Sequence, residues 1–458
     1  MTDGDVSMRS ILTACLGAVL GIALMVMPNA AEARWLRAES PRFIVYSDGD
    51  EATLRRQVQN LERFDRLLRG IHGLDLDAVP PRKLEIYLIR SSRDMDLLRP
   101  GWGDFVAGYY SASSEDIYAV GIRERRDDST LLHEYVHHFM LQYFNDAYPA
   151  WLVEGYAEYF GETEFEANRI TFGRPLNSRG YSLLSGDWLP LDEVVGRARP
   201  ERVNLETMDL FYAQSWAITH WFMSDEARRA RLMVYMRQIA LGADPIPTFE
   251  RAAGMPLDQF ARELRRYVGG RLTFSSAPAS SFVTEPVEIA QLSASADALL
   301  LLNQRQKGGG LDDDDLAETL QLIQRAARPL GEDRLALLTL GHAELHIGDP
   351  AEGERLLTRL LELEPDNVEA LQLIASRRYT QATEATETTD RSRLLREGNA
   401  FLARALQANP EDYRTYYWLA MNRSGQSSYP NDNDILTWGH AFRLAPQLDE
   451  IRLGMVAP

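Results

Sequence analysis

Cysteine is all but missing from this 458-residue chain; the single one, Cys15, lies near the N-terminus. Once the segment that holds it is removed, disulfides, catalytic thiols and cysteine-ligated metals are excluded, and the fold has to be stable through its core alone. An excess of positive charge is missing too. The formal net charge of −18 argues against nucleic acid and anionic lipid as main partners, because neutralising phosphates needs clustered Lys and Arg. Solubility is the ordinary use of such a surface. Long apolar runs are absent except for one, Ile11 to Met27. Arg9 precedes it and PNAAEA follows, with Ala31 and Ala33 at the small-residue positions of a cleavage site. Residues 1–33 therefore read as a secretory signal cut after Ala33, and the protein as exported, periplasmic or secreted. The run is close to the length of a membrane span, so an uncleaved anchor in the inner membrane through residues 11–27 is the alternative.

What is present is the composition of a folded protein, 45% apolar and 25% charged, over a length that calls for two or three domains. Residues 34–128 have a mixed α/β texture. FIVYS from Phe43 and LEIYLI from Leu84 read as strands. Glu51 to Arg69 reads as a helix through the stripe Leu54, Val58, Leu61, Phe64 and Leu68, and FVAGYYSASSEDIYAV from Phe105 as a hairpin turning at Ser111 to Glu115. Residues 129–270 are mainly helical, with helices expected at Leu131 to Phe144, Pro149 to Glu162, Leu210 to Met223, Glu226 to Ala240 and Leu257 to Tyr267. Arg174 to Asn204, rich in Gly, Pro and Ser, reads as a surface loop, and residues 271–288, with SSAPASSF, as a linker.

Residues 289–458 are helical and repetitive. Pro329, Pro365, Pro410 and Pro446 recur at separations of 36, 45 and 36 residues, each closing an apolar-periodic helix, and the polar run from Thr380 accounts for the longer gap as a surface insertion. The run Asp312 to Asp315 reads as a helix start, since carboxylates there are favoured by the helix dipole and the spacing is not that of a calcium loop. The segment resembles the tetratricopeptide repeat family through Leu340-Gly341, through Gly398, Leu402, Ala405 and Pro410, and through Trp418, Ala441 and Pro446. Leu360 departs from it, standing where a small residue is usual. The resemblance implies stacked helix pairs with a concave face for a protein partner; a rigid spacer is the alternative use.

Histidine is scarce, eight in the chain, yet three fall in LLHEYVHHF, Leu131 to Phe139. On a helix His133 and His137 stand one turn apart on one face, so both imidazoles can reach one metal ion, and Glu134 on the adjoining edge can take a proton from water without ligating. Leu132, Val136, Phe139, Met140 and Tyr143 form the stripe that buries this helix. Glu154, in PAWLVEGYAEYF from Pro149, follows at a distance that allows one helix to end and an antiparallel one to begin, bringing it in as third ligand with a fourth position open. Glu158, one turn further, can accept the outer N–H of a ligating imidazole. Gly155 and Ala157 are small where the two helices should approach. His138 faces away from the metal.

Together these strings resemble the gluzincin metallopeptidases, which join H-E-x-x-H to a downstream helix matched here by Trp151, Leu152, Glu154, Gly155, Ala157 and Tyr159. Closer still is the resemblance to the peptidase-MA-like domains of bacterial exported proteins, over roughly residues 34–268. The gap before Glu154 is slightly shorter than in the best-known gluzincins. The resemblance implies an α+β, zincin-like peptidase domain ahead of an all-α repeat domain, with Zn2+ on His133, His137 and Glu154, and Glu134 as general base. It also implies a peptide or protein substrate added as a strand to an edge ending at Ile117 to Val120. Tyr212 matches in position the Tyr-bearing helix of that family and is the candidate oxyanion donor; His220, two turns on, and others such as Tyr181 are the alternatives. A peptidase-like domain without turnover, serving a repeat scaffold, is the competing reading, and hydrolysis of a non-peptide amide a third.

Overall fold

The computed structural model describes residues 34–456 except 124–127, 145–147, 176, 186, 197–203, 425 and 427; the expected signal or anchor, residues 1–33, lies outside the described residues. The chain is α+β. Strands β1 (Leu36–Glu39) and β2 (Phe43–Ser47) lead into helix α1 (Glu51–His72). Then come β3 (Leu84–Ile89), α2 (Ser92–Leu98), β4 (Gly108–Ala112) and β5 (Ile117–Ile122). The helical half follows, with α3 (Ser129–Tyr143), α4 (Ala150–Gly161), β6 (Glu164–Phe165), β7 (Arg169–Phe172), α5 (Asn177–Ser185) and α6 (Leu191–Val195). Helices α7 (Leu205–Met223), α8 (Glu226–Ala240), α9 (Pro245–Ala253) and α10 (Leu257–Val268) complete it, before β8 (Ser275–Pro278) and β9 (Glu288–Gln291).

Six strands form one mixed sheet in the order β4-β5-β3-β2-β1-β9, parallel across β2/β3 and β3/β5 and antiparallel elsewhere. Side chains alternate across it. Phe43, Val45, Leu84, Ile86, Leu88 and Ala119 join one core with the buried stripes of α1 and α3. Tyr87, Ile89, Tyr118 and Val120 face the other way. Helix α1 starts where Asp50 caps the Thr53 amide and stops at Gly73, whose φ of +68° is free of strain only for glycine.

A buried charge network ties the sheet to both helices. Arg42, just before β2, meets Glu62 at 2.7 Å and Asp65 at 2.8 Å; Arg69 meets Asp65 at 2.6 Å, and the Tyr135 hydroxyl of α3 donates to Asp65 at 2.6 Å. Asp65 is fully buried. Asp65→Ala would leave two guanidinium groups short of a counter-charge in the core, so it should cost about 3–5 kcal/mol in chemical denaturation. A loss under 1 kcal/mol would mean the network relaxes onto Glu62.

His72, at the end of α1, packs among Phe139, Phe144 and Tyr156. Burial lowers its pKa to about 4. Between the ordinary value of about 6.5 and that point the unfolded chain binds a proton that the folded chain refuses, so stability falls as pH falls. His72→Phe should flatten this slope and recover about 2–3 kcal/mol at pH 4 relative to pH 7, read from unfolding midpoints across that range.

Two stretches differ from expectation. The surface loop expected from Arg174 to Asn204 contains α5 and α6, and α6 is buried through Leu191, Val194 and Val195. Short helices with few periodic positions leave little trace in a Gly- and Ser-rich sequence. The linker expected at 271–288 is not free either: β8 pairs with β7, and β9, starting at its last residue, closes the sheet against β1. Strand addition runs through backbone hydrogen bonds, so small residues such as SSAP serve without a hydrophobic signal.

Beyond β9 the chain is an all-helical array: α11 (Ala296–Lys307), α12 (Asp313–Ala327), α13 (Arg334–His346), α14 (Pro350–Leu363) and α15 (Val368–Glu384). The last four are α16 (Thr388–Ala408), α17 (Tyr413–Ser424), α18 (Asp432–Leu444) and α19 (Asp449–Val456). Pro365, Pro410 and Pro446 each stand two residues past a helix end, and Asp312 caps α12. The surface insertion from Thr380 lengthens α15 to 17 residues and α16 to 21. Gly341 and Gly353 let α13 and α14 touch: a Cβ on Gly353 would stand 2.4 Å from the Leu345 amide nitrogen. Among the described residues no helix is long and apolar enough to cross a membrane.

The array is packed onto the sheet. Ala296 and Leu300 of α11 cover Tyr87, Tyr118 and Val120. At the β4/β5 turn the Tyr413 hydroxyl donates to the Ser113 carbonyl at 2.9 Å and Arg414 meets Glu115 at 3.1 Å.

Candidate metal centre

Helix α3 carries HEYVH because its apolar stripe fixes its roll. Leu132, Val136, Phe139 and Met140 are buried as expected, with Tyr143 half-buried, and Leu131 and Tyr135 join them. That leaves His133 and His137 on the remaining face, partly exposed at 21% and 14% of their side chains. Helix α4 packs against α3 and brings in Glu154, 1% exposed. The small residue at the α3/α4 approach is Gly161, where a Cβ would come within 3.3 Å of the His133 Cβ. Gly155, expected to serve there, meets α7 instead: a Cβ on it would lie 2.4 Å from the Ser215 carbonyl oxygen.

One ligand atom from each of His133, His137 and Glu154 lies within 4.8 Å of the other two. The Nε2 atoms of the two histidines are 3.1 Å apart, and Glu154 Oε2 stands 3.7 Å from His133 Nε2 and 3.5 Å from His137 Nε2. A tetrahedral ion with bonds of about 2.0–2.1 Å spaces its ligands about 3.3–3.4 Å apart, so this triangle fits one such ion with a vertex left over. Burial opposes a charge on His133, but Glu154, Glu134 and Glu158 outweigh it and hold its pKa above the ordinary imidazole value.

Glu134 points into the same cleft and is 8% exposed. Burial pushes its carboxyl above the usual range, against the pull of His137 and His133. Gly108 at the start of β4 lies against it, and a Cβ there would meet Thr130 Cγ2 at 2.6 Å and Glu134 Cγ at 3.2 Å. The cleft measures about 380 Å³. Its walls include residues 105–108, Thr130, His133, Glu134, Glu158, Arg179 and Tyr212. The strand beside it is β4, and this corrects the expectation that the strand ending at Ile117 to Val120 is the edge: β5 sits inside the sheet between β4 and β3. In a hairpin both strands carry the same alternation, so the sequence does not say which one faces outward.

Glu158 Oε1 lies 3.8 Å from His133 Nδ1, beyond hydrogen-bond length, while Arg179 of α5 grips both its oxygens at 2.9 Å and 2.8 Å. Arg179 was hidden within the expected loop, and no motif marks it. Tyr212 lines the cleft, with the Arg179 guanidinium 5.5 Å from its ring centroid. His220 is committed elsewhere, its Nδ1 2.7 Å from the Tyr267 hydroxyl and its Nε2 3.1 Å from the Gly173 carbonyl oxygen. Tyr181 is 75% exposed. His138 is buried on the far side against the Tyr110 hydroxyl at 3.3 Å, and burial lowers its pKa to about 3.

No family model and no curated protein matches this chain. Any functional reading therefore rests on the chemistry of these residues.

Proposed function

We propose that the chain is a zinc metallopeptidase of gluzincin type, in which His133, His137 and Glu154 hold the ion and Glu134 is the general base. The observation that carries this reading is the fit of the three ligand atoms to one tetrahedral ion with the Glu134 carboxyl beside it in an open cleft. When bound, the ion supplies Lewis-acid chemistry, acidifying water and polarising a carbonyl. Glu134 would take a proton from water at a carboxylate oxygen as the water oxygen bonds to the scissile carbonyl carbon, and return it to the amine nitrogen as the C–N bond breaks. Its raised pKa suits a group that must both accept and donate. A peptide laid along the outer edge of β4 would gain main-chain hydrogen bonds that ask nothing of its side chains. Tyr212, which lines the same cleft, is the residue whose hydroxyl would donate to charge developing on the carbonyl oxygen.

In this reading the protein is exported by residues 1–33, or held at the inner membrane by them, and residues 289–458 are tetratricopeptide-like repeats offering a surface to a protein partner. The test is the zinc content of residues 34–458 together with cleavage of a peptide library. One zinc per chain with cleavage supports the reading. A chain that takes up no zinc sinks the ligand assignment, and one that loads zinc but cleaves nothing favours the silent scaffold.

A further inference from the structure

Among the described residues the cleft is lined by three carboxylates, Glu134, Glu158 and Glu162, and by one guanidinium, that of Arg179. Its guanidinium makes two kinds of contact at once. Through Nε and Nη2 it takes both oxygens of Glu158, at 2.9 Å and 2.8 Å, a planar fork that an ammonium group does not reproduce. Through Nη1 it holds Asp209 of α7, three residues before Tyr212, and its Cζ stands 5.5 Å from the Tyr212 ring centroid. Glu158 faces inward as well: it is the carboxylate within 4 Å of His133 Nδ1, at 3.8 Å.

We propose that Arg179 is the positioning residue of this cleft, setting the orientation of the His133 imidazole through Glu158 and the place of the Tyr212 hydroxyl through Asp209. The inference rests on the zinc reading and adds to it a residue that touches neither ion nor substrate. An imidazole that gives Nε2 to a metal carries its proton on Nδ1, so a fixed negative charge 3.8 Å from that atom favours this tautomer and ring orientation electrostatically. Unclamped, Glu158 would be one of several carboxylates in a partly buried cleft, free to turn toward the ion or to water. With both oxygens forked by Arg179, it keeps one edge turned to His133. The second arm matters for α7: Asp209 and Tyr212 lie on one helical face, so the guanidinium that fixes Glu158 also fixes the distance from α4 to the hydroxyl.

The experiment compares Arg179→Ala, Arg179→Lys and Asp209→Asn with the full chain, measuring zinc affinity by competition with a chelator, kcat and KM on a cleaved peptide, and the unfolding midpoint of the zinc-free protein. Arg179→Ala should weaken zinc binding roughly ten- to hundred-fold, as loss of an outer-shell partner does, and lower kcat with KM little changed. Arg179→Lys should fall between it and the wild type, because one ammonium cannot take both Glu158 oxygens and Asp209. Asp209→Asn should keep zinc affinity and lower kcat alone. Zinc affinity equal to wild type in Arg179→Ala, with only the zinc-free midpoint lowered, overturns the proposal by reducing Arg179 to a structural salt bridge. Should Arg179→Ala fail to fold, Arg179→Lys with wild-type affinity and kcat overturns it as well. A wild-type chain without zinc affinity fails the metallopeptidase reading itself, an outcome distinct from a wild type that binds zinc tightly and a clamp variant that does so equally.

Discussion

Glu134→Gln is expected to lower peptide cleavage by roughly 10²–10⁴-fold, the size of a general acid–base contribution, while zinc content stays at the wild-type level. The separation follows from position. Glu134 adjoins His133 in sequence but lies outside the triad whose atoms converge on one point. Gln has the same shape, so the packing of Gly108 and Thr130 around it survives. What disappears is the capacity to hold a proton between water and the leaving amine. The raised pKa sharpens the expectation, because burial that disfavours the carboxylate makes it a stronger base toward water than a solvated carboxylate. The comparison is one of kcat and zinc content on the same preparations. Equal kcat in the two proteins would remove Glu134 from the chemistry; loss of zinc with the Gln would show that Glu134 binds the ion instead of serving it.

That His133 and His137 lie together was legible in the sequence because residues four apart on a helix share a face whatever surrounds them, whereas Glu154 joins them only through the packing of a second helix. The strands FIVYS and LEIYLI were legible for the same reason, their alternation being local, and they stand at Phe43–Ser47 and Leu84–Ile89. Information that is not local was lost. Gly155 and Gly161 are both small residues on α4, and only the packing of a third helix, α7, says that Gly155 serves that contact and Gly161 the approach to His133. Arg179 draws its significance from Glu158, 21 residues earlier, and from Asp209, 30 residues later. No pattern within α5 carries either distance. The Ser-rich stretch before β9 misled because composition measures what side chains want, whereas an edge strand is held by its backbone.

The last consequence concerns the array, which the sequence presents as a separable module. A chain ending after Leu292 retains His133, His137 and Glu154, the cleft and all six strands of the large sheet, yet it is expected not to fold as a stable unit. Trp35, Tyr87, Ile89, Met95, Leu98, Tyr118 and Val120 are at most 5% exposed, and they share their cluster with Ala296 and Leu300 of α11. Uncovering these seven side chains, at about 1.5 kcal/mol each, costs about 10 kcal/mol, comparable with the whole stability of a typical domain. Tyr413, Trp438, Leu444, Leu448 and Ile451 belong to the same core as the α3 stripe, so the loss reaches the helix that carries the histidines. The β4/β5 turn would also lose Tyr413 and Arg414, leaving the edge strand beside the cleft without its outer support. Thermal unfolding followed by circular dichroism, with limited proteolysis, compares residues 34–292 with 34–458. The longer chain should melt cooperatively and the shorter should give a broad transition and rapid digestion. A shorter chain that melts cooperatively and still binds zinc would make the array an appendage, and its contacts with the sheet dispensable.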